Sequence, residues 1–499
     1  MIRGDSTVRH FLWALGLSSA ATLLPAQAAP QFVNGLTIPG TTLDASGGTT
    51  VNNGRMGFFS DLYYDPNRNN WWGLSDRGPG GGTISYDTRV NRFTLNVDPT
   101  TGAISGFNVV ETVLFRDGAS KFNGLAPNPS NTLGFSFDPE GFVVLGKSGH
   151  FLVSDEYAPR LIEFAPNGQF LRQYEVPANV VPQVTAGVNY TATAKDAPNL
   201  IAGRENNRGL EGLAISPDGK YAYAMLQNGL ITDGTNPGTS SFVRSPYTRI
   251  LKYDTSSGLN VAQYAYKLDD VSNSRGISAL VALDNSRFLV LERNNRGVGV
   301  DGNIGTPWSK KVYQIDLTNA NDVTGKNLNS DAPPGVTPVT KTAAALIDLA
   351  GNTAAASLEA LGNKAPEKWE GLTVGPQLSD GSYVLIAGTD NDYSVTQNGS
   401  NVQFDVYYDP TTGNRAQCDL GTKSNCIKIN SNGSPDLSTP VTLTANYALI
   451  PGVLQAYKAT TSDLGGGYVT PTPGPLPLFG AAATLAWSRR LRQRIRGAA

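Results

Sequence analysis

The stretch Gly209-Leu-Glu-Gly-Leu213 occurs in three versions along the chain. The other two are Asp138-Pro-Glu-Gly-Phe142 and Lys368-Trp-Glu-Gly-Leu372, and in each an acidic residue precedes a glycine and an apolar residue that opens a strand. Phe59-Ser-Asp-Leu62 and Gly276-Ile-Ser-Ala-Leu280 are weaker copies of the same pattern. An internal repeat of this kind indicates one structural unit that is built several times.

The segments around each copy predict what that unit is. A hairpin turn such as Ser216-Pro-Asp-Gly219 follows the first strand, and a second strand ends in polar residues, as in Phe151-Leu-Val-Ser-Asp-Glu156. The chain also holds 55 Gly, 31 Pro and 20 Tyr, a composition that suits short strands joined by many turns. We therefore predict an all-β fold, a β-propeller, in a domain that spans residues 29–465.

The number of blades is predicted from the copies and from the chain ends. Five copies are readable, and we expect a sixth unit from strands at 403–408 and 452–457 together with the N-terminal segment 31–34. Pairing of the N- and C-terminal strands in one blade would close the ring and hide the sheet edges. The sequence thus predicts a six-bladed propeller. A pair of β-sandwich domains is the alternative, but it would not explain why the same acid recurs at equivalent strands.

The repeated acid predicts a ring of side chains, because the innermost strand of each propeller blade faces the central channel. The ring would hold Asp61, Glu140, Glu211, Ser278 and Glu370. Clustered carboxylates raise one another's pKa unless a cation or arginines neutralise them. Oxygen ligands favour a hard cation, so we expect Ca²⁺, with Mg²⁺ as the less favoured ion. The expected metal ligands are Glu140, Glu211, Glu370, Asp76, Asp155, Glu292 and Asp390.

Arginines near the same strand ends predict an anionic substrate. Guanidinium groups form forked hydrogen bonds with phosphate or carboxylate oxygens. The arginines expected to bind such a small molecule are Arg77, Arg208, Arg275 and Arg293. The carboxylates expected to be catalytic are Glu140, Glu211, Glu370 and Asp155. A structural interpretation stays open beside this one, in which the acids pair with arginines or backbone amides and fix the register of the blades.

Five groups of residues resemble motifs of the esterase-like phytase family of bacterial proteins. They are Leu74-Ser-Asp-Arg-Gly78, Asp138-Pro-Glu-Gly-Phe142 with Val153-Ser-Asp-Glu156, Arg208-Gly-Leu-Glu-Gly-Leu213, Leu291-Glu-Arg-Asn294 and Trp369-Glu-Gly-Leu372. The similarity spans roughly residues 54–458. The resemblance implies a β-propeller hydrolase that acts on phosphate or simple esters.

Both ends of the chain predict export. Residues 1–28 contain two arginines, an apolar run and Ala26-Gln-Ala28, the order of a secretory signal peptide. Residues 466–499 contain a proline-rich linker, a short apolar segment and five arginines, and resemble the PEP-CTERM sorting tails of bacterial surface proteins. We expect export and sorting machinery as partners at the two ends. The protein would then lie in the periplasm, at the cell surface or in the extracellular matrix, transiently anchored by its tail.

The body between these ends is acidic, with 32 basic against 40 acidic residues. A net charge of about −8 disfavours a nucleic-acid partner, since such binding needs a basic surface. Cys418 and Cys426 flank a hairpin-like loop and predict a local disulfide. His150 is the one histidine after the leader, and no G-x-S-x-G elbow surrounds a serine, so a serine triad is disfavoured.

Three functions are compatible with these patterns. The first is a metal-assisted hydrolase, in which Ca²⁺ polarises a phosphoryl or carbonyl oxygen while arginines orient the anion. The second is a non-catalytic surface or matrix propeller that binds a ligand or a protein partner. The third is a lactonase-like propeller enzyme, chemically close to the first. We expect a monomer in each case.

Overall fold

The computed structural model of the chain describes residues 29–47, 51–269, 275–352, 355–398 and 400–470. The predicted leader, 1–28, and all but the first five residues of the predicted tail, 466–499, lie outside these described residues. The described part is all-β apart from short 3₁₀ helices at Val51–Gly54, Ala178–Val180, Ile231–Asp233, Ala356–Leu361 and Asp392–Ser394. None of its helices has the length and apolar character needed to span a bilayer.

Four sheets share one plan, in which strands that follow one another in the chain pair antiparallel. Strand β1 (Gln31–Ile38) comes first in the chain and belongs to a later sheet. Sheet I consists of β2 (Asp61–Asp65), β3 (Asn70–Leu74), β4 (Arg89–Val97) and β5 (Ile104–Leu114). The short pair β6 (Arg116–Asp117) and β7 (Ser120–Lys121) follows it. Sheet II consists of β8 (Pro139–Leu145), β9 (His150–Asp155), β10 (Arg160–Phe164) and β11 (Phe170–Gln173).

The next two sheets repeat this plan. A short hairpin of β12 (Gln183–Val184) and β13 (Gly187–Val188) precedes them. Sheet III consists of β14 (Leu210–Ile215), β15 (Tyr221–Leu226), β16 (Tyr247–Asp254) and β17 (Asn260–Lys267). Sheet IV consists of β18 (Gly276–Ala282), β19 (Arg287–Arg293), β20 (Lys310–Asp316) and β21 (Thr340–Lys341), and β22 (Ile347–Asp348) also pairs with β20.

Sheet V is assembled from both ends of the described chain. It starts with β23 (Lys368–Gln377) and β24 (Tyr383–Asp390). An inserted sheet follows, made of β25 (Val395–Gln397), β26 (Gln403–Tyr408), β27 (Arg415–Asp419), β28 (Ile427–Ile429), β29 (Pro435–Pro440) and β30 (Ala448–Leu449). Strand β31 (Gly452–Ala459) then pairs with β24, and β1 pairs with β31. A sixth sheet of the shared plan is not confirmed, because 403–408 lies in the inserted sheet and 452–459 lies in sheet V.

The five sheets are arranged in a cycle of the propeller type. Their first strands contact one another in the order β2, β8, β14, β18 and β23, and β23 contacts β2 again. A hydrophobic cluster lies between each sheet and the next, for example Trp72 and Phe142 between sheets I and II. The cluster between sheets V and I contains Ile386 and Phe59. The hydrophobic core of the cycle therefore consists of separate clusters, each packed between two neighbouring sheets.

Glycine permits the close contact between first strands. At Gly212 of β14, an added Cβ would lie 2.7 Å from the backbone nitrogen of Leu280 in β18. At Gly371 of β23, it would lie 2.7 Å from the side chain of Leu62 in β2. The glycine of the repeated motif is thus required because the neighbouring strand fills the space of a side chain.

Two further contacts fix the periphery and the far end of the cycle. Cys418 and Cys426 form the predicted disulfide within the inserted sheet. Tyr468 lines a small cavity at the far end of the first strands, where its ring packs edge-on against Tyr383 at 5.1 Å. The predicted boundary at residue 465 therefore falls inside a segment that packs against the sheets.

Gly212→Ala is expected to lower the free energy of unfolding by about 1–3 kcal/mol or more, because the new methyl group overlaps the backbone of the adjacent first strand. Gly351→Ala is the matched control, since the nearest atoms to its added Cβ lie 3.5 Å away. Urea unfolding of both variants measures the difference. Equal stability of the two variants would contradict the close packing of sheets III and IV.

Candidate functional site

A polar cleft of about 440 Å³ opens where the first strands of the sheets begin. Its walls include residues that follow the second strands and residues of β25 from the inserted sheet. The carboxylates that line it are Asp76, Glu140, Glu156, Glu211, Asp301, Glu367, Glu370 and Asp392. The cations that line it are Arg77, Arg208, Arg293 and Lys368. Among the described residues, carboxylates therefore outnumber cations at the cleft by two to one.

A shift in strand pairing accompanies the repeated residue in four of the five first strands. The register between first and second strands shifts at 139–142, 210–212, 277–279 and 369–371. A β-bulge of this kind re-aims a side chain out of the regular alternation. The residues at these four shifts all line the cleft, and they are Glu140, Glu211, Ser278 and Glu370.

Asp61, the fifth member of the predicted ring, lies away from the cleft. The pairing of β2 with β3 has no such shift, and the Asp61 carboxylate accepts the backbone N–H groups of Leu62 and Phe142, both at 2.8 Å. Asp61 instead lines the small cavity at the far end. Burial raises its pKa, against the lowering effect of these two N–H groups. Its carboxylate connects β2 to β8, so the ring at the cleft has four members.

Two successive hydrogen bonds, from Arg208 to Gln227 and from Gln227 to Glu211, orient Glu211. Arg208 donates from Nη1 to Oε1 of Gln227 at 3.0 Å, and Nε2 of Gln227 donates to Oε1 of Glu211. A guanidinium cannot accept a hydrogen bond, so Arg208 fixes the orientation of the Gln227 amide. Oε2 of Glu211 is buried without a hydrogen-bond partner among the described residues. Burial, followed by the charges of Glu156 and Glu370, raises the pKa of Glu211 well above 4.5.

Asp138, Glu140 and Glu156 form the first acidic group of the site. Each brings one carboxylate oxygen within 4.8 Å of the others, and all three residues are buried. Arg77 Nη1 lies 2.8 Å from Asp138 and 3.8 Å from Glu156. Glu140 forms no ion pair with any described residue, and Oε1 of Glu156 has no hydrogen-bond partner there. Burial and then the charge of Glu211 raise the pKa of Glu140. Arg77 thus pairs with two of the three carboxylates.

Asp76, Asp390 and Asp392 form a second acidic group of the same dimensions. An ammonium group already lies among these carboxylates, because Lys368 Nζ is 3.0 Å from Asp390 Oδ2 and 2.5 Å from Asp392 Oδ1. Burial raises the pKa of Asp76 to about 6, although Lys368 and Arg77 lower it. Lys368 therefore supplies here the positive charge that a metal ion would otherwise supply.

The predicted substrate-binding arginines differ in how much of the guanidinium is available. Arg293 donates from Nε to Ser278 Oγ at 2.8 Å and pairs through Nη2 with Glu370, which leaves Nη1 without a partner in the described chain. Arg208 uses Nη1 for its amide acceptors, and its Nη2 has no hydrogen bond to a described residue. Arg77 is engaged by its carboxylates and lies over the ring of Tyr157. Arg208 and Arg293 are therefore the arginines best able to bind an anion.

Asp155 does not line the cleft. Its Oδ1 accepts the backbone N–H of Asp138 at 3.0 Å, and its Oδ2 pairs with Arg160 Nε at 2.6 Å. Its side chain is fully buried in this arrangement. The carboxylate predicted to be catalytic and metal-binding is thus saturated by structural partners within sheet II, out of reach of a cleft ligand.

Glu292 and Arg275 also lie outside the cleft, in a buried network of their own. Glu292 accepts hydrogen bonds from Lys341 Nζ and Tyr266 OH, and it lies 3.6 Å from Arg275. Arg275 donates to Ser309 Oγ at 2.6 Å. Glu292 was predicted as a metal ligand and Arg275 as a substrate-binding residue. Both side chains instead form hydrogen bonds and ion pairs within this buried network.

The charged residues of the cleft that were not predicted as site residues are Glu156, Asp301, Glu367, Lys368 and Asp392. Glu156 follows Asp155 directly, in the turn that begins where β9 ends. Lys368 stands two residues before Glu370 on β23, but the pairing shift between Trp369 and Gly371 breaks the regular alternation there, so the sequence carried no signal for Lys368. Glu367 precedes β23 and carries no repeat signal in the sequence.

Comparison with known proteins gives one family. A family model for phytase-like proteins, described by the esterase-like activity of phytase, matches residues 54–393. An uncharacterized secreted protein of Arthroderma benhamiae is 25% identical over 426 residues, which cover 68% of this chain and 80% of that protein.

Solved structures that match the chain have low sequence identity to it and low TM-scores. A streptogramin B lyase is 10% identical with a TM-score of 0.27, over 85% of this chain and 97% of that one. A putative 6-phosphogluconolactonase of Bacteroides uniformis is 13% identical with a TM-score of 0.29, over 76% and 87%. The Dos1 propeller is 11% identical with a TM-score of 0.24, over 86% and 74%.

The Asp76 carboxyl is expected to make the folded chain less stable as the pH rises from about 4 to about 6 in the presence of a chelator. Asp76 has an ordinary pKa of 3.8 and a folded pKa of about 6, so the folded state keeps a proton that the unfolded chain has released. The free energy of unfolding therefore falls across this window, by up to about 3 kcal/mol for this group, and levels off above it.

Urea unfolding at several pH values measures this effect. Asp76→Asn should reduce the fall, because the variant has no carboxyl to ionise. Asp331→Asn, whose side chain is 90% exposed, should leave the fall unchanged. An equal pH dependence in Asp76→Asn and in the wild-type chain would contradict the raised pKa of Asp76.

Proposed function

We propose that this chain, which belongs to the phytase-like family described by esterase-like activity, is an exported hydrolase that cleaves phosphate or simple esters in the central cleft. We take the five sheets as the blades of a five-bladed propeller, because their first strands contact one another in a cycle. The disulfide and the secreted relative support export.

One observation carries the proposal: Glu140 and Glu211, from neighbouring first strands, share a cleft with Arg208 and Arg293. Neither glutamate is neutralised by an ion pair with a described residue, while both arginines keep a nitrogen for a ligand. A site that combines unpaired carboxylates with guanidinium groups can bind an anion and move a proton beside it. This combination favours hydrolysis of an anionic ester over simple ligand binding.

A divalent cation fits the group of Asp138, Glu140 and Glu156. Hard carboxylate oxygens are the ligands that Ca²⁺ prefers. Oε1 of Glu156 is buried without a partner, and an unpaired buried acceptor is costly unless a ligand satisfies it. We propose that these three residues hold Ca²⁺, with Mg²⁺ as the second choice. When bound, the ion would polarise the phosphoryl or carbonyl oxygen of the substrate.

The residues of the cleft then divide the work of hydrolysis. Arg208 and Arg293 bind the negative oxygens of the substrate through their unpaired nitrogens. Glu211 accepts the proton of the attacking water on Oε2, because Oε1 already accepts the hydrogen bond from Gln227. The raised pKa of Glu211 makes its ionised form a stronger base than an exposed glutamate. The reaction consumes one ester and one water and yields one acid and one alcohol.

The full chain with Ca²⁺ is expected to hydrolyse at least one of three substrate classes: phosphomonoesters, aryl esters and lactones. Glu211→Gln should lower kcat/KM by about 100-fold or more, because the amide cannot accept the proton of water. Glu359→Gln is the matched control, since Glu359 is exposed and lies outside the cleft. Thermal unfolding of each variant checks that the fold is retained.

Three outcomes would change the proposal. No turnover of any class, with or without Ca²⁺, would leave a non-catalytic propeller that binds a ligand or a partner. Turnover of lactones alone would support a lactonase-like enzyme. Full activity of a folded Glu211→Gln variant would place the site elsewhere.

Ca²⁺ is expected to raise the unfolding temperature of the chelator-treated chain by roughly 3 °C at a hundredfold excess over its Kd. Glu140→Gln should abolish this shift, because it removes a ligand of the first acidic group. Asp390→Asn should keep it, because Lys368 neutralises the second acidic group. If the rise in unfolding temperature disappears in Asp390→Asn and persists in Glu140→Gln, the second acidic group is the metal site and the first is not.

A further inference from the structure

Glu367 occupies a prepared position at the edge of the cleft. Its backbone N–H donates to the carbonyl oxygen of Val298 at 2.9 Å, just before β23 begins. The residue is 6% exposed and lines the cleft. Added Cβ atoms at Gly299 and Gly302 would both overlap its Oε2. Two glycines therefore leave the space that this carboxyl fills.

The Glu367 carboxyl has no polar partner in the described chain. Oε2 is buried without a hydrogen bond, and neither oxygen forms an ion pair with a described residue. Glu370, three residues later, has the opposite environment because Arg293 pairs with it. Glu367 is thus a carboxyl of the cleft that is not held by an ion pair with a described residue.

The charges around Glu367 leave it able to carry a proton near neutral pH. Burial, and then the negative charge of Asp392, raise its pKa to about 7. Lys368, Arg293 and Lys310 act in the lowering direction without pairing with it. Arg415 of the inserted sheet is the remaining charged group whose own pKa responds to Glu367. At neutral pH a large fraction of Glu367 therefore holds a proton that it can donate.

We propose that Glu367 is the general acid of the ester cleavage, and this inference rests on the hydrolase function proposed above. The proton of Glu367 passes to the oxygen of the leaving group as the bond from that oxygen to phosphorus or carbonyl carbon breaks. The proton of the attacking water passes to Glu211. Exchange with solvent removes the proton from Glu211 and returns one to Glu367, so both residues are restored after each turnover.

This role requires a group that is protonated, reaches the cleft and is not held by a fixed cation. Glu370 fails the last condition because of Arg293. Asp390 and Asp392 fail it because of Lys368. Glu367 satisfies all three conditions, and its glycine-lined position holds a neutral carboxyl without a hydrogen-bond partner.

The test compares two esters of whichever class the full chain hydrolyses, one with a 4-nitrophenyl leaving group and one with an unactivated alcohol. A general acid matters most when the leaving group is a strong base. Glu367→Gln should lower kcat/KM about 100-fold or more for the unactivated ester and less than about 3-fold for the 4-nitrophenyl ester. The variant should also lose the decline in activity that the wild-type chain shows as the pH rises through about 7.

Glu359→Gln serves as the control and should behave as the wild-type chain with both esters. An equal loss on both esters, or no loss on either, in a folded Glu367→Gln variant would overturn the role of Glu367 and leave the hydrolase proposal standing. Absence of turnover in the wild-type chain would overturn both. Glu367→Asp, which keeps a carboxyl, should recover part of the activity on the unactivated ester, whereas a variant that only disturbs the fold would not show this selectivity.

Discussion

The close approach of neighbouring first strands is the constraint on which the rest of the structure depends. At Gly141 a Cβ would lie 2.5 Å from the carbonyl oxygen of Glu211, so glycine alone fits there. The pairing register shifts at the residue just before the glycine, and a bulge re-aims the side chain at that point. The step that lets one sheet pack against the next therefore also places a glutamate at the cleft. The glycine of the repeated motif lets neighbouring first strands pack closely, and the glutamate before it lines the cleft.

This arrangement buries several carboxylates close to one another, which is unfavourable for their charged forms. The far end of the cycle is lined mostly by apolar side chains and by Tyr468, and Glu140, Glu211 and Glu370 are buried. Charges interact more strongly where water is excluded. Burial is accordingly the first cause of the raised pKa at Asp61, Glu140 and Glu211. Fixed cations pair with part of these charges, whereas Glu140 and Glu211 of sheets II and III and Glu367 before β23 have no ion pair with a described residue.

The sequence predicted the repeated unit and the all-β class, because the Glu-Gly pattern and the hairpin turns are local signals. It predicted three of the cleft glutamates for the same reason. It placed Asp155 at the site in place of Glu156, since the hydrogen bonds and the Arg160 ion pair that hold Asp155 inside sheet II form only in the folded chain. Glu367 could not be found, because its position depends on Gly299 and Gly302, which are distant in sequence. The sixth unit was expected because nothing local shows that 403–408 belongs to an insertion.

The departure of Ser278 from the repeat explains why the charge at the cleft is asymmetric. Its short side chain accepts a hydrogen bond from Arg293 Nε, and the rest of that guanidinium reaches across to Glu370 in the next sheet. Arg293 therefore links sheets IV and V, whereas Glu140 and Glu211 of sheets II and III have no ion-pair partner among the described residues. The serine at one position of the repeat thus makes the pairing of charges around the cleft unequal between the sheets.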